Sequence, residues 1–158
     1  MSDERDRLGA SGVFQAIVEG ARKFTRAVTG GDREVPPEAR ELGEEIGRAF
    51  VAGRFGDVHA LGTPAFQQRS ALAAFDASWR DATREHQPIT GYAVAEAGDI
   101  DLGFIPGLED VPQEQFVAFL QLTFSSPQIP LHDERALIIG AVLIAHEGRP
   151  RLGALHAQ

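Results

Sequence analysis

The chain of 158 residues contains no cysteine, so disulfide bonds, thiolate nucleophiles and cysteine-ligated metals are all excluded. It also lacks any apolar run close to the roughly 20 residues that a membrane-spanning helix needs. Residues 1–12 are mostly charged or polar and contain no apolar core, so they do not form a secretory signal. We therefore expect a soluble cytoplasmic protein without a membrane partner.

Lysine is scarce: Lys23 is the only one, and arginine carries the remaining positive charge. We interpret this bias as an indication of a bacterial, GC-rich coding sequence. Since the formal net charge is −8, and nucleic-acid binding needs clustered basic side chains, we expect no nucleic-acid partner. Between Arg84 and Arg135 there is no lysine or arginine, while acidic residues are frequent. This stretch predicts a solvated acidic rim of loops or, alternatively, a site for a cation or a basic partner.

The N-terminal third divides into a disordered tail (residues 1–10), an additional helix with its linker (residues 11–31) and the start of the main domain (residues 32–158). Apolar residues at steps of three and four indicate the additional helix: Phe14, Ile17, Ala21, Phe24 and Val28. Gly30 and Gly31 end this helix, because glycine readily adopts the left-handed cap conformation. The helix could pack on its own domain or reach across to a partner.

Two longer helices are predicted between residues 36 and 87. Pro36-Pro37 opens the first, and its apolar stripe is Ala39, Leu42, Ile46, Ala49 and Phe50. Ser70 caps the second, whose apolar face includes Leu72, Phe75, Trp79 and Ala82. Asp57 and Thr63-Pro64 predict short helical segments between them.

After Pro88 the apolar period changes to two, which predicts strands at 90–97, 115–125 and 136–145, and a last strand after a turn at 147–150. Residues 98–113 are rich in turn residues but too apolar for a solvated loop. We expect them to form a flap that folds back over an opening, with a short strand at 101–105.

The strand at 136–145 is apolar on both faces, so both faces must be covered. The helices can cover one face, and we expect a second copy of the chain to cover the other. The predicted homodimer interface contains Phe119, Ile139 and Leu143. The pattern leaves open which face of the strand points to the core.

Helices first and strands last indicate an α+β fold, in which N-terminal helices pack on a curved, mostly antiparallel sheet. The order of elements over residues 36–156 resembles the nuclear-transport-factor-like (cystatin-like cone) superfamily. The motifs that carry the resemblance are Phe50-x-x-Gly53-x-Phe55-x-Asp57, Thr63-Pro64-x-Phe66, and Phe75 with Trp79. The resemblance implies a cone-like domain that binds a small apolar or aromatic ligand at its open end, and a homodimer through the outer face of the sheet.

Six aromatic residues form the predicted ligand pocket: Phe50, Phe75, Trp79, Tyr92, Phe104 and Phe116. Trp79 and Tyr92 favour a pocket, because each carries a polar tip that needs a partner when buried. The alternative interpretation is that these aromatic side chains fill the core.

Neither a catalytic motif nor a metal or cofactor motif accompanies this pocket, so the sequence predicts no catalytic residue, no metal and no cofactor. The Asp57–His59 and His132–Asp133 pairs lie in predicted turns, where such residues commonly cap the backbone. Three hypotheses remain: a small-molecule-binding or structural module, an isomerase or dehydratase that uses Tyr92, and an interaction module that uses the N-terminal helix.

Overall fold

The computed structural model describes residues 34–158; the predicted tail and the additional helix at 11–31 lie outside the described residues. Four helices precede four strands, and this segregation of helices and strands is typical of an α+β fold. The helices are α1 (Pro37–Ala52), α2 (Phe55–Ala60), α3 (Pro64–Arg69) and α4 (Leu72–Ala82). The strands are β1 (Gly91–Glu96), β2 (Phe116–Ser125), β3 (Leu137–His146) and β4 (Arg149–Ala157).

Local sequence signals set the helix ends. Pro37 occupies the first turn of α1, and Gly53 ends that helix in the left-handed conformation with a φ of 70°. The Thr63 hydroxyl accepts a hydrogen bond from the Phe66 N–H at 3.1 Å and so caps α3. The prediction that Ser70 caps α4 is wrong, because the helix begins one residue later and Ala71 occupies the cap position without a side-chain hydrogen bond.

The four strands form one open antiparallel sheet in the order β1-β2-β3-β4. Glu147 and Gly148, with φ values of 53° and 77°, join β3 to β4. Two successive left-handed residues match the twist of a two-residue hairpin, so the turn is shorter than predicted and Pro150 lies within edge strand β4.

The helices cover one face of the sheet, and Phe50 lies at the centre of this helix-side core. The centre of its ring lies 5.2 Å from the ring centre of Phe55, 5.3 Å from that of Trp79 and 5.3 Å from that of Phe124. Burying these aromatic side chains removes roughly 150–250 Å² of surface each from water and so stabilises the packing of the helices on the sheet. From the sheet, β3 contributes Ile139, Ala141 and Leu143 to this core.

Two glycines let α1 approach the sheet closely. A Cβ at Gly43 would lie 2.7 Å from the Leu120 side chain, and one at Gly47 would lie 2.4 Å from the ring of Tyr92. The side chains of Leu120 and Tyr92 therefore fill the space that a larger helix residue would occupy.

The flap, residues 98–113, covers part of the outer sheet face. Its apolar side chains Ile100, Leu102, Ile105 and Leu108 are all at most 2% exposed. They pack in a second core with residues of the sheet: Phe116, Phe119, Val142, Ile144 and Ala154. Residues 98–113 fold back as predicted, but they pack on the sheet and not over an opening, and they contain a 3-10 helix at Leu102–Phe104 where a strand was expected.

The three residues predicted to form a dimer interface lie inside a single chain. Ile139 and Leu143 are fully buried in the helix-side core, and Phe119 is buried in the core beneath the flap. The prediction of an exposed patch at these positions is therefore wrong, because the helices cover Ile139 and Leu143 and the flap of the same chain covers Phe119. Whether the chain forms a homodimer by other residues stays a prediction.

Within residues 34–158, no helix combines the length and the apolar character needed to cross a membrane.

Candidate functional site

The six residues of the predicted pocket do not surround one space. Phe50, Phe75 and Trp79 come together in the helix-side core, where Phe50 and Trp79 meet edge to face at 88°. Phe116 lies on the opposite side of the sheet, because a β-bulge between Phe116 and Ala118 shifts the alternation of β2. Phe104 also lies on that opposite side and is 57% exposed.

Tyr92 lies where α1 crosses β1 and is only half-buried. Its hydroxyl donates a hydrogen bond of 2.5 Å to the Glu44 carboxylate, which raises the pKa of Tyr92. Arg40 makes a parallel contact of 2.5 Å with Glu96 at the far end of the same strand. This tyrosine holds a helix against a strand, whereas an oxyanion donor would have to lie in a dry cavity.

The predicted pair of Asp57 and His59 does not converge on a common point. His59 Nε2 lies 2.8 Å from the Ser70 carbonyl oxygen, so it must carry the proton that this contact needs. Its ring meets Phe75 edge to face at 5.2 Å, while Asp57 pairs with Arg54 at 3.5 Å. His59 thereby connects α2 to the start of α4, which is a structural role.

The second predicted pair, His132 and Asp133, lies in the loop before β3, where the His132 side chain is exposed and the Asp133 carboxylate is bound by Arg135. Asp133 accepts hydrogen bonds from the Arg135 guanidinium, with the shorter at 2.9 Å, and these bonds lower the pKa of Asp133 to about 2. His146 lies at the end of β3, 3.9 Å from the Glu147 carboxylate. Nowhere in residues 34–158 do three potential ligands among His, Asp and Glu gather closely enough to hold a metal ion.

A junction that the sequence did not predict connects α3, β4 and the flap; we call it the Arg69 junction, formed by Arg69, Gly107, Glu109, Gly153 and His156. Arg69 donates a hydrogen bond to the Gly153 carbonyl and lies over the Phe66 ring, 5.6 Å from its centre. Burial lowers the pKa of Arg69, and the nearby Glu109 carboxylate opposes that shift. No periodicity could reveal this junction, because its members are up to 87 residues apart in the sequence.

His156 is the second perturbed group of the Arg69 junction. Burial, and then the positive charge of Arg69, lower the pKa of His156 to about 4. The imidazole is therefore neutral near pH 7, which avoids placing two positive charges side by side in a partly buried position.

Side-chain amides and carboxylates fix the conformation of the flap. The Gln113 amide donates to the Ile100 carbonyl at 2.8 Å and accepts from the Leu102 N–H at 2.9 Å. Asp101 accepts from the Gly103 N–H at 2.9 Å. These bonds, together with the buried apolar side chains, make the flap a compact loop whose ends are close together.

One aromatic side chain of this ordered loop points to solvent. Phe104 is exposed although its neighbours Leu102 and Ile105 are buried. Exposed carboxylates of Asp101, Glu109 and Asp110 belong to the same loop. We call Phe104 and these three carboxylates the flap surface.

The part of the outer sheet face beyond the flap carries small and polar side chains together with one half-buried isoleucine, Ile138. Tyr92 and Val94 contact α1, so Ala93 and Ala95 point to the outer side, where both are exposed. Across the ladder, Ala93 pairs with Thr123, and Thr123 pairs with the half-buried Ile138. We call Ala93, Ala95, Gln121, Thr123 and Ile138 the open sheet face.

No protein-family model matches the chain, and comparisons with curated proteins and with solved structures found no match either. The resemblance to the nuclear-transport-factor-like superfamily thus stays a prediction that rests on the order of elements and on local motifs.

Proposed function

We propose that this chain is a protein-interaction module whose flap surface binds a basic segment of a partner. The observation that carries the proposal is Phe104, which is 57% exposed on a loop whose other large apolar side chains are buried. The acidic neighbourhood names the chemistry of the partner: an arginine- or lysine-rich segment that also presents an apolar side chain.

The flap has a fixed conformation before a partner binds, and this favours binding. A loop that is already fixed by the Gln113 amide and by buried side chains loses little conformational entropy when a partner binds. Aromatic anchors supply much of the energy of protein interfaces, and carboxylates around such an anchor steer and orient a basic partner. Phe104 would be the anchor, and Asp101, Glu109 and Asp110 the charged rim.

The helix-side aromatic residues support an interaction module over a small-ligand pocket. Phe50, Trp79 and Phe124 pack directly on one another, which is how aromatic side chains fill a core. Tyr92, the residue most useful to an isomerase, is engaged by Glu44 near the surface.

A defined peptide probe tests this function. We would titrate the ¹⁵N-labelled chain with a synthetic helix-forming peptide of leucine, alanine and arginine, and compare the same peptide with glutamate in place of arginine. The arginine peptide should shift the amide signals of the flap, and added salt should weaken its binding because exposed charges are screened. The glutamate peptide should produce no shifts.

Two substitutions of similarly exposed apolar residues provide the matched comparison. Phe104→Ser should weaken peptide binding at least tenfold, whereas Leu72→Ser on α4, where the side chain is 53% exposed, should leave it unchanged. Equal loss of binding in both variants, or shifts confined to the helices, would refute the flap as the binding surface.

A further inference from the structure

The open sheet face and the flap surface together fit a segment of this same chain. We infer that residues 14–28 bind intramolecularly across the open sheet face, with the flank that carries Arg22 toward the flap surface, and so compete with a partner. This inference rests on the proposed function, because it names a first occupant for the same acidic, apolar surface.

Shape supports this occupant. The outer side chains Ala93 and Ala95 are small, so a helix can approach β1 closely, as α1 does on the opposite face over Gly43 and Gly47. A helix over residues 14–28 would be roughly 22 Å long at about 1.5 Å per residue. That length is close to the roughly 20–33 Å of these strands, so the apolar stripe and the sheet match in extent.

Charge supports the orientation. In a helix, Arg22, Lys23 and Arg26 lie away from the apolar stripe that contains Ile17 and Phe24. When the stripe contacts the open sheet face, Arg22 and Lys23 lie on opposite flanks of the helix and Arg26 on its upper side, so the flank that faces the flap carries a basic side chain. The flap borders that face and belongs to the stretch of chain that has no lysine or arginine, so the two charge patterns are complementary.

The tether between the segment and the domain permits this arrangement. Val35 is anchored in the helix-side core, and Arg40 in the first turns of α1 pairs with Glu96 at the end of edge strand β1. The chain therefore enters the domain beside the free edge of the sheet, near the start of the flap. Residues 29–34 can span roughly 20 Å, enough to pass around that edge. Such a short tether gives an effective concentration on the order of millimolar.

Spin labelling tests the inference in the full chain. Because the chain has no cysteine, a single introduced thiol is the only attachment point for a nitroxide. We would label Gln115→Cys, which is exposed two residues after the flap and keeps every carboxylate, and Glu85→Cys on the helix side as the control. The Gln115 label should remove most of the amide signal intensity of residues 14–28, and the Glu85 label should leave it unchanged.

Charge reversal tests the orientation. Arg22→Glu with Arg26→Glu should restore the amide signals and should increase the affinity for the arginine peptide probe. Arg5→Glu with Arg7→Glu alters the net charge equally and should do neither. Residues 14–28 that are unaffected by the flap label, or affected equally by both labels, would overturn the inference. Signal loss that also arises when labelled and ¹⁵N-enriched chains are separate molecules would assign the site to a second copy, which overturns it too.

The outcomes separate the inference from the proposed function. If the peptide probe binds the flap while residues 14–28 keep their signals, the function stands and the intramolecular ligand is rejected. If the label at position 115 broadens the signals of residues 14–28 but the probe fails to bind even the Arg22→Glu, Arg26→Glu variant, the intramolecular contact stands and the proposed function is rejected.

Discussion

At the scale of single residues, the Arg69 junction shows how one side chain can connect distant elements. Arg69 reaches from the end of α3 to the backbone of β4 and lies directly against Gly107 of the flap. A hydrogen bond from a charged donor contributes about 1.5–3 kcal/mol, so the bond from Arg69 to the Gly153 carbonyl is a substantial part of the attachment between α3 and β4. Gly107 makes it possible, since a Cβ there would overlap the guanidinium.

Comparing Gly107 with Gly148 separates the steric overlap with Arg69 from backbone strain, because both glycines have a left-handed backbone. Gly107 has a φ of 87° and Gly148 a φ of 77°, but only Gly107 has neighbours within contact distance. We expect Gly148→Ala to lower the free energy of unfolding by about 1 kcal/mol through backbone strain alone. Gly107→Ala should cost at least about 1 kcal/mol more, because the Arg69 hydrogen bond is lost as well. Urea unfolding measures both values.

A double-mutant cycle gives the control for this prediction. In an Arg69→Ala background, the additional cost of Gly107→Ala over Gly148→Ala should disappear, because the group that it displaces is gone. If the additional cost persists, the flap backbone itself and not Arg69 would be the cause.

His156 makes stability depend on pH in a predictable direction. Its folded pKa of about 4 lies below the ordinary value of 6.5, so the unfolded chain takes up a proton first as the pH falls. The contribution of this group is complete above the unfolded pKa and is lost as the pH falls from about 6.5 toward 4. The free energy of unfolding at pH 5 should be about 2 kcal/mol lower than at pH 7 through this group. In His156→Gln that difference should shrink by the same amount; an unchanged pH dependence would contradict the assignment.

At the scale of elements, the two apolar faces of β3 are in different environments and are buried to different extents. Ile139 faces the helices and is fully buried, while the adjacent Ile138 lies on the open sheet face and is only half-buried. Ile139→Asp should lower the free energy of unfolding by more than about 4 kcal/mol, because an unpaired charge enters the core. Ile138→Asp should cost far less, since water can reach the outer face. Thermal unfolding followed by circular dichroism checks both, and equal costs would mean that the two faces are assigned incorrectly.

The sequence pattern predicted the elements better than their faces. Pro37, Gly53 and the alternation along β2 determine local conformation through short-range sterics, so the boundaries of α1 and β2 could be read from them. The side of the sheet on which Phe116 lies depends on a bulge, and a bulge leaves no mark in the alternation of apolar residues. Arg69 was missed for a related reason, because its partners are set by tertiary packing.

The predicted pocket is wrong for the same reason, because the sequence does not show on which side of the sheet each aromatic residue lies. Phe104 and Trp79 are both aromatic, and the resemblance to a cone-like domain placed them in one predicted pocket. The sheet lies between them, since Trp79 belongs to the helix-side core and Phe104 to the flap on the outer side. The acidic character of the flap, by contrast, was visible in the sequence because charge counts require no knowledge of packing.

At the scale of the whole molecule, the flap takes the position that a second copy was expected to fill. A strand apolar on both faces needs two covers, and here the helices provide one and the flap contributes to the other. The apolar content of residues 98–113 is explained by this role, since Ile105 and Leu108 bury the sheet residues Phe119 and Val142 with them.

Removing the anchors of the flap should therefore promote association between chains. In an Ile105→Asp, Leu108→Asp variant, two charges replace buried side chains, so the flap should leave the sheet and expose Phe119 and Val142. We expect the mass measured by sedimentation to rise with concentration more steeply than in the unaltered chain. Phe104→Asp adds a charge to the same loop without removing a buried side chain and should not change the mass. The helix-side core is a separate cluster, so circular dichroism should still report folded helices. If a folded variant associates no more than the unaltered chain, the flap is not what prevents association through the outer sheet face.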